Sequence, residues 1–281
     1  MTAQIIDGKK LAQSVKEELK AKIAPLSAAP ALAVIIVGCD PASEIYVRNK
    51  EKACLAVGII PQTYKLPAET SKEELAALIE RLNNNPDING ILVQLPLPAH
   101  LNAAEILPLI SPVKDVDGFH PLNAGALLQK NAKTFIPCTP KGIIKLIKST
   151  KPDLTGLNAV IIGRSQIVGL PVANLLLNEN CTVTVAHSKT QNLPALCRTA
   201  DILVVAVGKP ELVTKEYIKP DSLVIDVGIN RTANGLKGDV KFTDALETAA
   251  YITPVPNGVG PMTIAMLLDN TFEAYLKQHR P

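Results

Sequence analysis

The chain has no tryptophan, and its four Phe and five Tyr among 281 residues leave few rings to line a site. No stretch of Lys or Arg exceeds two residues, and 29 basic against 26 acidic side chains give a formal net charge of only +3. That near balance argues against a nucleic-acid groove or a membrane-surface patch and leaves small molecules as the expected partners. No apolar run approaches the ~18 residues of a membrane span. The N-terminus Met1-Thr2-Ala3-Gln4-Ile5-Ile6-Asp7 lacks a basic-then-apolar signal, so a cytoplasmic protein is expected. The five cysteines (Cys39, Cys54, Cys138, Cys181, Cys197) are odd in number, scattered and without C-x-x-C spacing. Neither a disulfide framework nor a metal site is indicated, and reduced, buried thiols are expected.

What is present is apolar: 47% of the residues are hydrophobic, enough at this length for more than one core, so two domains sharing a cleft are expected. Runs that read as strands recur over 31–37, 89–95, 158–162, 181–186, 201–207 and 222–227, with helical patterns between them. They are rich in Val, Ile and Leu and nearly continuous rather than alternating, as strands covered on both faces should be. The class is therefore α/β with parallel sheets. Helices are predicted over 43–57, 71–83, 140–149 and 171–177, and an amphipathic one over 264–278. Ser71 and Glu74 have the spacing of a capping box. The stretch 114–139, rich in Pro, Asn and Gly, reads as a crossing between a first domain of residues 1–140 and a second of 141–263, with the last helix, 264–281, returning to the first.

The segment from Asn158 to Gly169 reads as a strand, a turn with glycine at each end, and the start of a helix, which offers backbone N–H groups and a positive helix end to a pyrophosphate. The spacing is not G-x-G-x-x-G, and on pattern alone Gly163 and Gly169 serve equally well as strand end and helix start. The next strand ends in His187-Ser188-Lys189, where an NAD-binding domain usually carries an acid for the ribose hydroxyls. Without that acid, Arg164 and Ser188, with Lys189 nearby, suit a 2′-phosphate, which favours NADP over NAD. Two further strand ends, at Gly208 and at Asp226-Val227-Gly228-Ile229, let backbone approach a flat ligand. Asp226 is assigned no chemistry.

Tyr46 and Lys50 are four apart on a predicted helix and share a face. Alone, that spacing is better explained by a packed ring and a solvated amine. In short-chain dehydrogenases the same tetrad follows the dinucleotide turn; here it precedes it by more than a hundred residues, which disfavours that family. Gln94 ends an apolar strand before Pro96 and Pro98, and Lys114-Asp115-Val116-Asp117-Gly118-Phe119-His120-Pro121 puts two carboxylates in a turn, with His120 read as a loop histidine.

In this order, the segments 37–50, 94–98, 114–121, 137–142, 163–171, 187–190, 226–231 and Thr253 to Thr263 resemble the bifunctional methylenetetrahydrofolate dehydrogenase/cyclohydrolase (FolD) family nearly end to end. The resemblance implies a first, folate-binding catalytic domain and a second, Rossmann-like NADP-binding domain. It implies Lys50 as the central catalytic residue, Tyr46 stacked on the folate, Gln94 hydrogen-bonded to Lys50 and Asp117 on the pterin, so that these four form the catalytic set. Pro96, Gly260 and Pro261 join them around the substrate, a tetrahydrofolate derivative. Thr139, Gly163, Arg164, Ser165, Ser188, Gly208 and Ile229 are implied around NADP, with no metal. A homodimer is implied as well.

Three positions depart from the usual family pattern: Gln166 for Asn, Leu170 for Lys and Asn257 for Gly. Asn is the residue other than glycine that best tolerates positive φ, so Asn257 is expected to keep the loop shape. Leu170 removes one positive charge near the cofactor turn. Two rival readings remain at this point: a two-domain NADP oxidoreductase of the shikimate dehydrogenase type, and a Rossmann-like binding protein without catalysis.

Overall fold

A computed structural model of the chain describes residues 2–38, 41–130, 134–233 and 235–279. Cys39 lies outside these residues. In chain order come β1 (Gln4–Ile5), α1 (Gly8–Ile23), β2 (Ala31–Val37), α2 (Pro41–Val57), β3 (Ile60–Leu66), α3 (Lys72–Asn84) and β4 (Gly90–Val93). They are followed by α4 (Ala103–Ile106), α5 (Pro121–Leu128), α6 (Cys138–Thr150), β5 (Asn158–Ile162), α7 (Gly169–Asn178), β6 (Thr182–Ala186) and α8 (Leu193–Cys197). Last come β7 (Ile202–Val205), β8 (Leu223–Asp226), β9 (Asn230–Thr232), β10 (Gly235–Lys237), α9 (Phe242–Thr248), β11 (Tyr251–Ile252) and α10 (Val259–His279). The chain divides into two units, one of residues 13–138 with 264–281 and the other of residues 1–12 with 139–263.

The first unit is built on a parallel sheet of order β3-β2-β4. All seven residues of the central strand β2 are apolar and buried, which two covered faces require. Leu75, Leu78, Ile79 and Leu82 of α3 pack on one face together with Ile35, Ile91 and Val93. The capping box starts α3 as predicted: Ser71 Oγ accepts from the Glu74 amide, and the Glu74 carboxylate accepts from the Ser71 amide. The other end of α3 is closed by the buried Lys114, whose ammonium donates to the carbonyls of Leu82 (3.0 Å) and Asn85 (2.6 Å). A cation there satisfies carbonyls that the helix leaves open and suits the helix dipole.

Two expectations about this unit are corrected. The stretch 114–139 is not a bare crossing, because it contains α5: His120 Nδ1 accepts from the Leu122 amide as N-cap, and Pro121 takes the first position, where no N–H is needed. The C-terminal helix α10 begins at Val259 rather than 264, again with a proline, Pro261, in its first turn. Along α10 the charged Asp269, Glu273 and Lys277, four apart, stay partly exposed on one stripe while Ala265, Met266, Leu267, Leu268 and Ala274 are buried, as an amphipathic helix requires. Its Asn270, itself fully buried, donates to the carbonyls of Val116 (2.8 Å) and Ile136 (2.9 Å).

The second unit carries a six-stranded sheet, β1-β11-β8-β7-β5-β6, parallel throughout. Its first twelve residues were expected in the other domain. They belong here because Gln4 and Ile5 pair with Tyr251 and Ile252 and add an edge strand. The chain runs from β5 out to β6 and then crosses to β7 on the other side, so the strand order reverses at β5. That reversal opens a crevice beyond the carboxyl ends of β5 and β7.

Candidate active site

In the first unit the chain likewise passes from β2 to β3 on one side and to β4 on the other, so the carboxyl ends of β2 and β4 mark a second switch point. The helix that follows β2 turns Tyr46, 39% exposed, and the half-buried Lys50 to one side, while the intervening Val47 is buried. Lys50 Nζ donates to Gln94 Oε1 at 3.0 Å, just past the end of β4. The amide of Gln94 is itself oriented, because its Nε2 donates to the Leu95 carbonyl at 2.6 Å and so turns the oxygen toward the lysine. Pro96 is exposed immediately beyond.

The backbone at Asp115 pairs with Ile91 alongside β4. Asp115 is committed to structure: its carboxylate accepts from the amides of Phe119 (3.2 Å) and His120 (2.8 Å) and from Asn123 Nδ2 (2.8 Å). Asp117 lies two residues on in the same turn. Burial pushes its carboxyl above the usual range, opposed by the Lys50 charge, raised further by Asp115 and lowered by a hydrogen bond with the Cys138 thiol. Gly118 follows at φ +74°, where a side chain would press on Ile136 and Pro137 backbone, so the turn requires glycine. Lys50, Gln94 and Asp117 are thus gathered at one end of one sheet, with Tyr46 one turn from Lys50.

In the second unit, Gly163 ends β5 at φ +123°, and a side chain there would collide with the Ala206 carbonyl. Gly169 opens α7 against the Gly163 carbonyl with the same restriction. Ser165 Oγ accepts from the amides of Val168 (3.2 Å) and Gly169 (3.3 Å), which shapes the turn, while Arg164 is exposed. Ser188 is exposed in the turn after β6, where Thr190 Oγ1 accepts from the His187 amide. Gly208 lies at φ +65° with open space where a side chain would project. Ile229 is 46% exposed, and a side chain at Gly260 would touch it at 3.7 Å. Thr139 Oγ1 lies 2.9 Å from Thr263 Oγ1, joining the starts of α6 and α10. Gly260 and Pro261 sit in the first turn of α10 and belong to this unit, not to the one that holds Lys50. Asn257 adopts φ +79°, as expected of an Asn in place of Gly. Sequence reasoning missed Asp239, fully buried beneath these loops, and Asn270; nothing in their local patterns sets them apart.

The remaining thiols Cys54, Cys138, Cys181 and Cys197 are buried, and burial pushes Cys54 and Cys197 up to about 12, away from reactivity. Among the described residues no helix is long and apolar enough to cross a membrane.

A parallel sheet with glycine turns at its switch point, in a chain that also sets an amine against an amide at the mouth of a second sheet, defines a two-domain, dinucleotide-dependent oxidoreductase. Residues 6–117 match the catalytic domain, and residues 137–279 the NAD(P)-binding domain, of tetrahydrofolate dehydrogenase/cyclohydrolase. The bifunctional protein FolD 2 of Paracoccus denitrificans is 55% identical over 278 residues, spanning 96% of this chain and 92% of its own. The crystal structure of the FolD methylenetetrahydrofolate dehydrogenase/cyclohydrolase from Campylobacter jejuni superposes with a TM-score of 0.96 at 48% identity, covering 98% of this chain and 99% of that one. The Trypanosoma brucei FolD structure, complexed with NADP and an inhibitor, reaches 0.95 at 40% identity over the full length of both. The chain belongs to the tetrahydrofolate dehydrogenase/cyclohydrolase family, and both activities of that family are its own. The shikimate-type and scaffold readings are set aside.

Proposed function

We propose that the unit of residues 13–138 and 264–281 carries the folate chemistry through Lys50, Gln94, Tyr46 and Asp117, and that residues 139–263 hold NADP. The observation that carries this reading is the oriented pair: Lys50 Nζ 3.0 Å from an amide oxygen whose own nitrogen is fixed on a backbone carbonyl.

The reaction oxidises 5,10-methylenetetrahydrofolate to the methenyl compound and hydrolyses that to 10-formyltetrahydrofolate. The methylene carbon lies between two nitrogens whose lone pairs stabilise the cation left when hydride departs, so this step needs placement more than a strong base. Tyr46 presents a ring face to the folate, and Asp117 offers two acceptor oxygens to the adjacent N–H groups of the pterin edge. In the second step water attacks the methenyl carbon and a proton must move before one carbon–nitrogen bond breaks. Lys50 transfers that proton as general base and acid, held in line by Gln94, a neutral partner that does not lock the amine in an ion pair as a carboxylate would.

NADP, when bound, accepts the hydride. The glycine turn fits such a dinucleotide: Gly163 and Gly169 leave no room for side chains, and the strand end at 187–189 bears no acid, while the exposed Arg164 and Ser188 suit a 2′-phosphate. Thr139, Ser165, Gly208 and Ile229 border the same site in this reading, and Pro96, Gly260 and Pro261 border the substrate. A cytoplasmic location is part of the same reading, and so is a homodimer, which rests on the family resemblance.

The test is to incubate purified protein with methylenetetrahydrofolate and either NADP or NAD, following reduced cofactor and the methenyl intermediate together. Faster reduction of NADP is expected, with the preference reduced by about tenfold or more in Arg164→Ala, the loss of a charged hydrogen bond. An NADP preference that survives Arg164→Ala contradicts the assignment of the 2′-phosphate to that side chain.

A further inference from the structure

Beyond β7 and β8 the chain wraps around a carboxylate that the reading above does not use. Asp239 is fully buried. Its Oδ2 accepts from the amides of Val207 (2.7 Å) and Gly208 (2.9 Å), and its Oδ1 from the amide of Lys209 (2.9 Å) and from Asn230 Nδ2 (2.9 Å). Two carboxylate oxygens offer about four lone-pair sites, and four donors fill them, so this group has no capacity left for a proton-transfer role. Three consecutive backbone N–H groups turned toward one side chain force a tight curl, which explains the positive φ of Gly208 and turns the outer side of that glycine to open space.

Asp239 is seated in turn by Asp226. Asp226 Oδ1 accepts from the amides of Asp239 (2.8 Å) and Gly228 (2.9 Å), and Oδ2 from the amide of Val240 (2.9 Å). The two glycines beside these aspartates are required by the arrangement. A side chain at Gly228 would collide with the Asp239 carboxylate, and one at Gly238 with the Asp226 carboxylate. The four residues form an interlocked pair of loops in which each acid is covered by the glycine of the other.

We propose that Asp239 is the positioning residue of the cofactor site: it holds the loop at 207–209 and, through Asn230, the loop that presents Ile229, in the shape that accepts NADP. The inference rests on the reading that Gly208 and Ile229 border that site. Asn at position 239 replaces one acceptor by a donor facing N–H groups, so the loops must open. The partners that hold the carboxylate, at 207–209 and 230, lie in the unit of residues 139–263, so its loss is expected to show first in the cofactor's affinity. The two activities separate these effects within one molecule, because hydrolysis of the methenyl compound needs no NADP.

The experiment measures the KM for NADP and kcat of the dehydrogenase, and methenyltetrahydrofolate hydrolysis without NADP, for Asp239→Asn, Asn230→Ala and Gly208→Asn. Asp239→Asn is expected to raise the KM for NADP by about tenfold or more. Its kcat at saturating NADP and its hydrolysis are expected near those of the wild type. Asn230→Ala is expected to raise the same KM less, and it decides the matter alone should Asp239→Asn fail to fold. Gly208→Asn tests the underlying reading independently, because Asn tolerates positive φ and would fill the open space beside the loop. If Gly208→Asn raises the KM while the other two variants do not, the role of Asp239 is overturned and the cofactor site stands. If Gly208→Asn leaves the KM unchanged, the site is misplaced and the inference falls with it. Hydrolysis lost together with NADP affinity in Asp239→Asn, with Asn230→Ala unaffected, reduces Asp239 to a fold-holding residue.

Discussion

Asp115 and Asp117 show how side chains of one type, two apart, take different tasks. The local pattern offered both in one turn and only the family resemblance singled out Asp117, because the division depends on Asn123 and on the amides of Phe119 and His120, which the fold brings to Asp115. With three donors holding Asp115, Asp117 is the carboxylate proposed to face the ligand. Asp117→Asn is therefore expected to raise the folate KM by about tenfold or more, since one donor of the pterin edge then meets an N–H. An unchanged folate KM contradicts the assignment. Burial raises the Asp117 carboxyl above its usual range, so in the unliganded enzyme it protonates before ordinary carboxylates as pH falls. Wild-type folate KM should accordingly climb on acidification from a pH above the ordinary carboxylate range, and the Asn variant should lack that limb. By contrast, the shared helix face of Tyr46 and Lys50 was legible from their spacing, because i and i+4 lie on one side whatever surrounds them, while the roles proposed for them came from the family resemblance.

Legibility at the level of elements followed burial. The strands β2 and β5 were read to the residue, since continuous apolar runs bounded by glycine have one interpretation in an α/β chain. Strand β3 was not read: as an edge strand it is half exposed and contains Pro61, Gln62 and Lys65, so neither a continuous nor an alternating pattern stands out. Helix α5 and the first turn of α10 were hidden by prolines that mark loops in composition yet sit where helices tolerate them. Of the buried acids that tie the loops of β7 and β8, Asp226 was noticed but given no task, and Asp239 was passed over because Asp next to Gly reads as a turn. Their effect on stability has a definite sign. Burial raises the Asp226 carboxyl from 3.8 to about 7, against the lowering effect of the hydrogen bonds from Val240, Asp239 and Gly228. Between these values the folded chain keeps a proton that the unfolded chain gives up, so stability falls as pH rises through that window and levels off above it. The stability advantage of the wild type over Asp226→Asn should shrink by up to about 3 kcal/mol between pH ~5 and ~8, read from urea midpoints. An advantage that grows with pH would mean that the folded state favours the charged form.

At the scale of the whole molecule, the chain interleaves its units rather than laying them end to end: residues 1–12 join the sheet built mainly from 139–263, and residues 264–281 join the unit of 13–138. The first of these exchanges depends on a two-residue strand, too short to register in a sequence pattern. In the proposed reading the division has a chemical counterpart, since one unit contains the four residues Tyr46, Lys50, Gln94 and Asp117 given the folate chemistry, and the other contains the glycine turn given to the cofactor. The account therefore makes the amine of Lys50 indispensable to the step in which no cofactor takes part. The most direct measurement is the loss of methenyltetrahydrofolate absorbance, in the absence of NADP, by the wild type and by Lys50→Met of unchanged circular dichroism. The account predicts that the variant falls by at least about a hundredfold, toward the uncatalysed rate. Near-normal hydrolysis by Lys50→Met would contradict it and remove this lysine from the mechanism.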